Sequence, residues 1–190
     1  MFASLIESAD KVANTASVYG AFLKKLKKSA QKPLEFKISK FEPSINKNEV
    51  YQSDLNELIT QISGDILYLD PPYNHREYGA NYHILNTIAK YDDFTPKGKT
   101  GLREYKKSLW CKKASAKDEF EKLIKNANFR YIFLSYNNEG IIQPEQIRSI
   151  CEKYGKYEVF TKSYRRFKAD NNRTQKANST TEYLHFLEKI

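Results

Sequence analysis

The residues in this chain best suited to chemistry are Asp70, Pro71, Pro72 and Tyr73, which follow the short apolar run Ile66–Leu69. Two successive prolines fix φ and remove two N–H donors, so the turn after Asp70 presents carbonyl oxygens only. A carboxylate, a free carbonyl and a flat aromatic ring therefore stand side by side. That set suits an exocyclic amine on a nucleobase, which is a poor nucleophile because its lone pair is delocalised into the ring. Hydrogen bonds from its two N–H groups to Asp70 and the Pro71 carbonyl favour a pyramidal nitrogen and free the lone pair. Tyr73 can stack on the base, which must leave the duplex to be reached. The matching electrophile is the methyl group of S-adenosylmethionine, with most of the acceleration coming from positioning. An ordinary proline turn after a strand is the plainer alternative.

These residues need a rigid support. Ile66–Leu69 has the composition of a buried parallel strand, and in open α/β sheets ligands bind beyond the carboxyl ends of the strands. Upstream, the apolar spacing of Leu5, Ile6, Ala9, Val12 and Ala13 predicts helix over 2–29, with Gly20 as a break and a basic end at Lys24, Lys25, Lys27 and Lys28. Pro33 ends it, and the alternation EFKISKF predicts a strand over 35–41. VYQSDLNELI reads as a short strand, a turn and a helix over 55–61. The stretch 74–115 is long, charged and tyrosine-rich, so it needs helical pieces or a function. Helices are expected over 120–127 and 144–154, and RYIFLSY is a second buried strand. YEVFTKSY and TTEYLHFL read as an antiparallel pair. This order implies an α/β fold with mainly parallel strands and a C-terminal antiparallel hairpin.

Composition narrows the class. The chain has 190 residues, a length suited to one domain or slightly more. No apolar run is long enough for a spanning helix, and the opening MFASLIESADKVAN has no secretory pattern. Cys111 and Cys151 are too few for a disulfide framework or a zinc cluster. A cytoplasmic protein without a membrane partner is expected. The formal net charge of +9 favours polyanionic partners. The connection YRRFKADNNRTQKANST carries Arg165, Arg166, Lys168, Arg173 and Lys176 against one acid, Asp170. Joining two strands at the active edge of a sheet, it is placed to hold DNA phosphates. Asn81, Tyr82 and His83 are candidate base or phosphate contacts, with His83 better explained as structural. Ser135 and Tyr136 end the second buried strand and should lie beside Asp70.

From SLIESADKVANTASVYGAFLKK through ILYLDPPYNHREYGANYH and IFLSYNNEG to YRRF and TTEYLHFLEK, the chain resembles the C-terminal portion of Dam-like, alpha-group N6-adenine DNA methyltransferases. The resemblance implies a Rossmann-like, S-adenosylmethionine-dependent fold closed by a reversed hairpin. It carries over Asp70, Pro71, Pro72 and Tyr73 as catalytic residues that bind the target adenine of double-stranded DNA, in a restriction-modification or Dam-type role. Relatives acting on cytosine N4 commonly have Ser at the first position, so Asp70 favours adenine. It also places Asp70 and Asp54 near the cofactor, although Asp54 is equally suited to capping the helix that follows it.

One family feature is missing. A cofactor loop of the form F-x-G-x-G needs glycines where the backbone approaches the ligand. The seven glycines, at 20, 64, 79, 98, 101, 140 and 155, include no two that are two apart. The expectation is an incomplete fold: a helical segment over 1–32 and a DPPY-containing catalytic part over 33–190, resembling a C-terminal half and inactive alone. Strand 66–69 would then have an unpaired edge and exposed apolar surface, and a second polypeptide would supply the other half. An RNA base methyltransferase and a non-catalytic DNA-binding remnant are the alternatives.

Overall fold

The computed structural model describes residues 1–16, 18–165 and 179–190. In chain order its elements are α1 (Phe2–Val12), α2 (Leu55–Leu58), β1 (Ser63–Leu69), α3 (Tyr78–Asn81), α4 (His83–Lys90), α5 (Ala116–Asn126), β2 (Asn128–Asn137), α6 (Pro144–Cys151), β3 (Gly155–Arg165) and β4 (Ser179–Lys189). Short 3₁₀ turns occur at Ser29–Gln31 and Leu109–Cys111. The chain forms two compact units, one of residues 1–50 with 77–106 and one of residues 51–76 with 107–190. The expected helical segment, 1–32, falls within the first unit, and the expected catalytic part, 33–190, contributes to both.

The second unit holds a four-stranded sheet in the order β1-β2-β4-β3. β1 and β2 are parallel, and β4 runs antiparallel to both β2 and β3. The α/β order and the closing hairpin are as the sequence implies, but the expectation of mainly parallel strands is corrected: only one of the three pairings among the described residues is parallel, because β4 returns between β2 and β3. The strand register puts Leu67, Leu69, Ile132, Leu134 and Leu187 on one face. Phe120, Leu123 and Ile124 of α5 and Ile147 and Ile150 of α6 join them in a single buried core. Burying each of these side chains is worth about 1.5–3 kcal/mol, so this face drives the unit together. Lys189 at the end of β4 closes the bottom of the core by donating to the carbonyls of Ile124, Lys125 and Ala127 at 2.8, 3.0 and 2.6 Å. Those are carbonyls that the C-terminus of α5 would otherwise leave without partners.

The other face is unlike the first. It carries Ile66 and Tyr68 of β1, Tyr131 and Phe133 of β2, and Phe186 of β4. Phe186 lies between the rings of Tyr131 and Phe133, with centroids 6.1 and 5.0 Å away. Ile66 and Tyr68 are 63% and 61% exposed, so the run 66–69 is not the buried strand its composition suggests: only Leu69 is buried, because no strand or helix covers this side of the sheet edge among the described residues. β1 is also the edge of the sheet, so its second row of backbone groups has no ladder among the described residues.

The first unit corrects two expectations. Helix ends at Val12 and does not reach residue 29, because distant hydrogen bonds outcompete the local ones. Asn14 accepts from the Lys27 amide at 3.1 Å, the Tyr19 amide donates to the Asn81 carbonyl at 2.7 Å, and the Tyr19 hydroxyl donates to Asp10 at 2.6 Å. Lys24, Lys25, Lys27 and Lys28 are therefore exposed but not helical. The segment 35–41 lies outside any strand. Its amides at Lys37 and Ser39 donate instead to the buried hydroxyls of Ser8 and Ser4 on α1, at 3.1 and 3.0 Å. The alternation was real, but the partner is a helix. The stretch 74–115 contains the helical pieces that its length demands, α3, α4 and a 3₁₀ turn. A buried Arg103 grips Asp92 with two bonds of 2.9 and 2.8 Å and lies over the Phe94 ring. No helix among the described residues is long and apolar enough to cross a membrane.

Candidate active site at the end of the first strand

Asp70 follows β1 directly. The parallel register pairs Leu69 with Leu134, so the next residues, Asp70 and Ser135, stand side by side at the carboxyl end of the sheet. Asp70 is exposed, whereas Pro71 is buried beneath it. The carboxylate is thus open to a ligand but set on a rigid base.

Tyr73 is held from two directions. Its ring stands edge-on to Tyr136, with centroids 6.4 Å apart and planes at 84°. Its carbonyl accepts the Ile141 amide at 2.8 Å. Tyr136, next to last in β2, is buried, which raises its hydroxyl above the ordinary tyrosine range. That hydroxyl accepts the Ile142 amide at 3.3 Å. Gly140 passes so close to the Tyr136 ring that an added Cβ would overlap it, so the turn after β2 can fold over the ring only with glycine there.

The same turn is tied to the hairpin. Buried Asn137 accepts the Glu139 amide at 3.1 Å, which bends the chain away from β2. Asn138 accepts from the Thr180 hydroxyl at 2.8 Å and from the Thr181 amide at 3.1 Å. Its own amide donates to the Thr181 carbonyl at 3.1 Å. Asn137, Asn138 and Gly140 therefore tie the end of β2 to the start of β4. Ser135 lies beside Asp70 as the sequence predicts, whereas Tyr136 is on the core face of the sheet and meets the site through the ring of Tyr73.

Glu182 is a neighbour that sequence reasoning missed. It sits on β4 opposite Asn137 and on the same sheet face as Ser135. Burial pushes its carboxyl above the usual range; a hydrogen bond from Asn137 opposes that, and the charges of Asp70 and Glu139 add to it. Its signal was faint, a single acid within the alternation TTEYLHFL.

Other candidates have partners of their own. Asp54 does not end a strand, since residues 50–54 form none. It is the N-cap of α2, accepting the Asn56 amide at 2.9 Å. His83 is fully buried, with Nε2 3.2 Å from the Tyr19 carbonyl, which is a structural role. Tyr82 stacks on Tyr78 with centroids 5.7 Å apart, and both rings are exposed. The Asn81 carbonyl is taken by Tyr19. Arg165 closes β3, its backbone opposite Ser179. Arg166, Lys168, Arg173 and Lys176 lie outside the described residues.

This arrangement fits an amine-bearing base better than it fits the sulfonium donor. Asp70, the Pro71 carbonyl and Tyr73 offer two acceptors and a ring. A donor nucleoside needs a glycine-lined approach, which the sequence lacks, and the Asp54 carboxylate is engaged by its own helix.

Comparison with known proteins agrees with the chemistry. Residues 1–150 match the family described as D12 class N6 adenine-specific DNA methyltransferase. The chain is 64% identical over 191 residues to the Type II methyltransferase M.NlaIII of Neisseria lactamica, covering 100% of this chain and 57% of that protein. It is 41% identical over 191 residues to the Type II methyltransferase M.CviAII of Paramecium bursaria Chlorella virus 1, covering 98% of this chain and 56% of the relative. It is also 40% identical over 194 residues to the Type II methyltransferase M.FokI of Planomicrobium okeanokoites, covering 100% and 30%. The chain thus spans between about a third and just over half of these relatives' own lengths. No solved structure matches it.

Proposed function

The chain belongs to the D12 class N6 adenine-specific DNA methyltransferase family, and from that premise we propose that it forms the base-binding part of an enzyme that methylates adenine N6 in double-stranded DNA, as the modification arm of a restriction-modification system. The observation that carries this reading is the placement of Asp70-Pro71-Pro72-Tyr73 at the carboxyl end of β1, with Tyr73 held by Tyr136 and Ile141. In this reading a flipped adenine lies on Tyr73, and its two N6 hydrogens go to the Asp70 carboxylate and the Pro71 carbonyl. Those bonds draw N6 towards a tetrahedral geometry and expose its lone pair. S-adenosylmethionine supplies an electrophilic methyl group. The chain's own residues fix where the nitrogen stands and which way its lone pair points. The basic connection containing Arg165, Arg166, Lys168, Arg173 and Lys176 supplies phosphate contacts, which position DNA without reading its sequence.

The cofactor side of this enzyme is completed by a segment outside these 190 residues. Three observations support that reading. No glycine pair is available for the donor loop, β1 presents an unladdered edge, and the face bearing Ile66 and Tyr68 is open. An open parallel edge beside exposed apolar side chains invites a further strand and its helix. Asp54, at the start of α2, would meet the donor only once that segment is in place.

Calorimetric titration of S-adenosylmethionine into the purified chain, with and without an adenine-containing duplex, tests this. The expected result is DNA binding with no heat from the cofactor. Stoichiometric cofactor binding by the chain alone would overturn the incomplete-site reading, and failure to bind DNA would count against the base-binding role.

A further inference from the structure

We infer that the first unit carries a phosphate-contacting surface of its own, built from Lys11, Lys24, Lys25, Lys27, Lys28 and Lys32, which holds the sugar-phosphate backbone of DNA. This rests on the function proposed above and adds to the contacts assigned there to the basic connection. Charge is the first argument. Residues 11–40 include eight lysines and a single acid, Glu35. Glu35 is already paired with Lys37 at 2.9 Å. Just upstream, Glu7 accepts the Ser39 hydroxyl at 2.7 Å and Asp10 accepts the Tyr19 hydroxyl at 2.6 Å. Among the described residues no ion pair engages the six lysines of the proposed surface, and all six are exposed.

The second argument is that the backbone beneath them is fixed. A merely solvated run of lysines needs no anchoring, but this one is anchored to α1 and to the turn that follows it. The Lys27 amide donates to Asn14 at 3.1 Å, the Lys37 amide to Ser8 at 3.1 Å and the Ser39 amide to Ser4 at 3.0 Å. The amides turn inward while the ammonium groups stay in water, so the charges are spaced before any ligand arrives. Between α1 and the chain after the Ser29–Gln31 turn lies a cleft of about 300 Å³. Ser8, Lys11 and Val12 line it from the helix, and Lys32, Pro33 and Lys37 from the other side. Glu35 lines it too, so three lysines stand there against one carboxylate. Such a cleft is complementary to a phosphodiester, and lysines, being point charges, hold a backbone without reading bases. An anionic membrane is the poorer match. A segment lying in a membrane surface gathers its apolar side chains on one helix face, and the helix here stops at Val12, well before the exposed Phe22 and Leu26.

The salt dependence of duplex binding tests this, with the purified chain and a fluorescein-labelled duplex read by anisotropy. Each phosphate contact adds about 0.9 to the slope of log affinity against log salt. Lys11→Gln with Lys32→Gln is expected to make that slope shallower by about 2 and to lower affinity at about 0.1 M salt roughly 10- to 100-fold. Lys24→Gln with Lys25→Gln should do the same. Lys122→Gln with Lys153→Gln removes the same net charge from the second unit, where each lysine already has an acid, and should leave the slope unchanged. An unchanged slope in the first two doubles, or an equal loss in all three, would overturn the inference while leaving the proposed function standing. Reductive methylation of lysines, read by mass spectrometry, locates the contact directly. The duplex should shield Lys11, Lys32 and the run between them, but not Lys122 or Lys153. Shielding by phosphatidylserine vesicles and not by duplex would assign the surface to a membrane and overturn the inference. A native chain with no affinity for any duplex would overturn both the inference and the proposed function.

Discussion

At the scale of single residues, the site is economical: one carboxylate, one carbonyl and one ring on a proline-stiffened turn. Asp70 is exposed and has no structural duty in the core, so its removal should separate chemistry from binding. In a chimera in which this chain replaces the matching residues of M.NlaIII, Asp70→Ala is expected to lower methyl transfer by roughly 10²- to 10⁴-fold. Duplex affinity, measured by fluorescence anisotropy, should stay nearly unchanged, because affinity rests mainly on phosphate contacts. Equal loss of both would argue that Asp70 holds the fold of the turn instead. The positions of the tetrad, Ser135 and Tyr136 were legible in the sequence because each stands at the end of a short apolar run with strand character, although the first of those runs forms an exposed edge strand. The place of Glu182 opposite Asn137 was not, because it depends on which strand lies next to β2. Only the sheet order reveals that β4, last in the chain, is that neighbour.

Among the elements, the strands were easier to read than the helices, and the reason is where their hydrogen bonds go. β1, β2 and the β3–β4 hairpin satisfy one another, so local pattern and final partner agree. The segments 13–29 and 35–41 satisfy their amides through side chains and carbonyls far away in sequence, which no periodicity encodes. Lys189 shows the same principle inside the sheet unit. It is the penultimate residue of the chain, yet it closes the end of α5 with three bonds, and burial lowers its ammonium below the usual range. Lys189→Met should preserve the packing of the stem while leaving those carbonyls without a donor. The expected cost is about 1–3 kcal/mol, read as a lower denaturation midpoint with an unchanged slope. A midpoint equal to that of the unaltered chain would show that water replaces the ammonium fully.

For the molecule as a whole, stability should depend on pH through a group on the core-facing side of the sheet, opposite the face that carries Ser135. His185 lies on the core face of β4, 1% exposed, with Nδ1 2.7 Å from the Tyr157 hydroxyl. Burial depresses its pKa to about 4. The unfolded chain binds a proton at this histidine near pH 6.5 and the folded chain does not, so stability is full above 6.5 and declines as pH falls towards 4. The shift corresponds to about 3 kcal/mol, and His185→Gln should flatten that part of the stability–pH curve in urea titrations. A slope unchanged by the substitution would assign the effect to other groups. The bond from Ile141 to the Tyr73 carbonyl has a different use. It joins the turn after β1 to the turn after β2, so neither can swing away without freeing the same amide. Deuterium uptake at Ile141 thus becomes a built-in clock for the mouth of the site. It should run slowly in the resting chain and more slowly still when a base lies on Tyr73, so an observer could follow occupancy without watching any methyl group move.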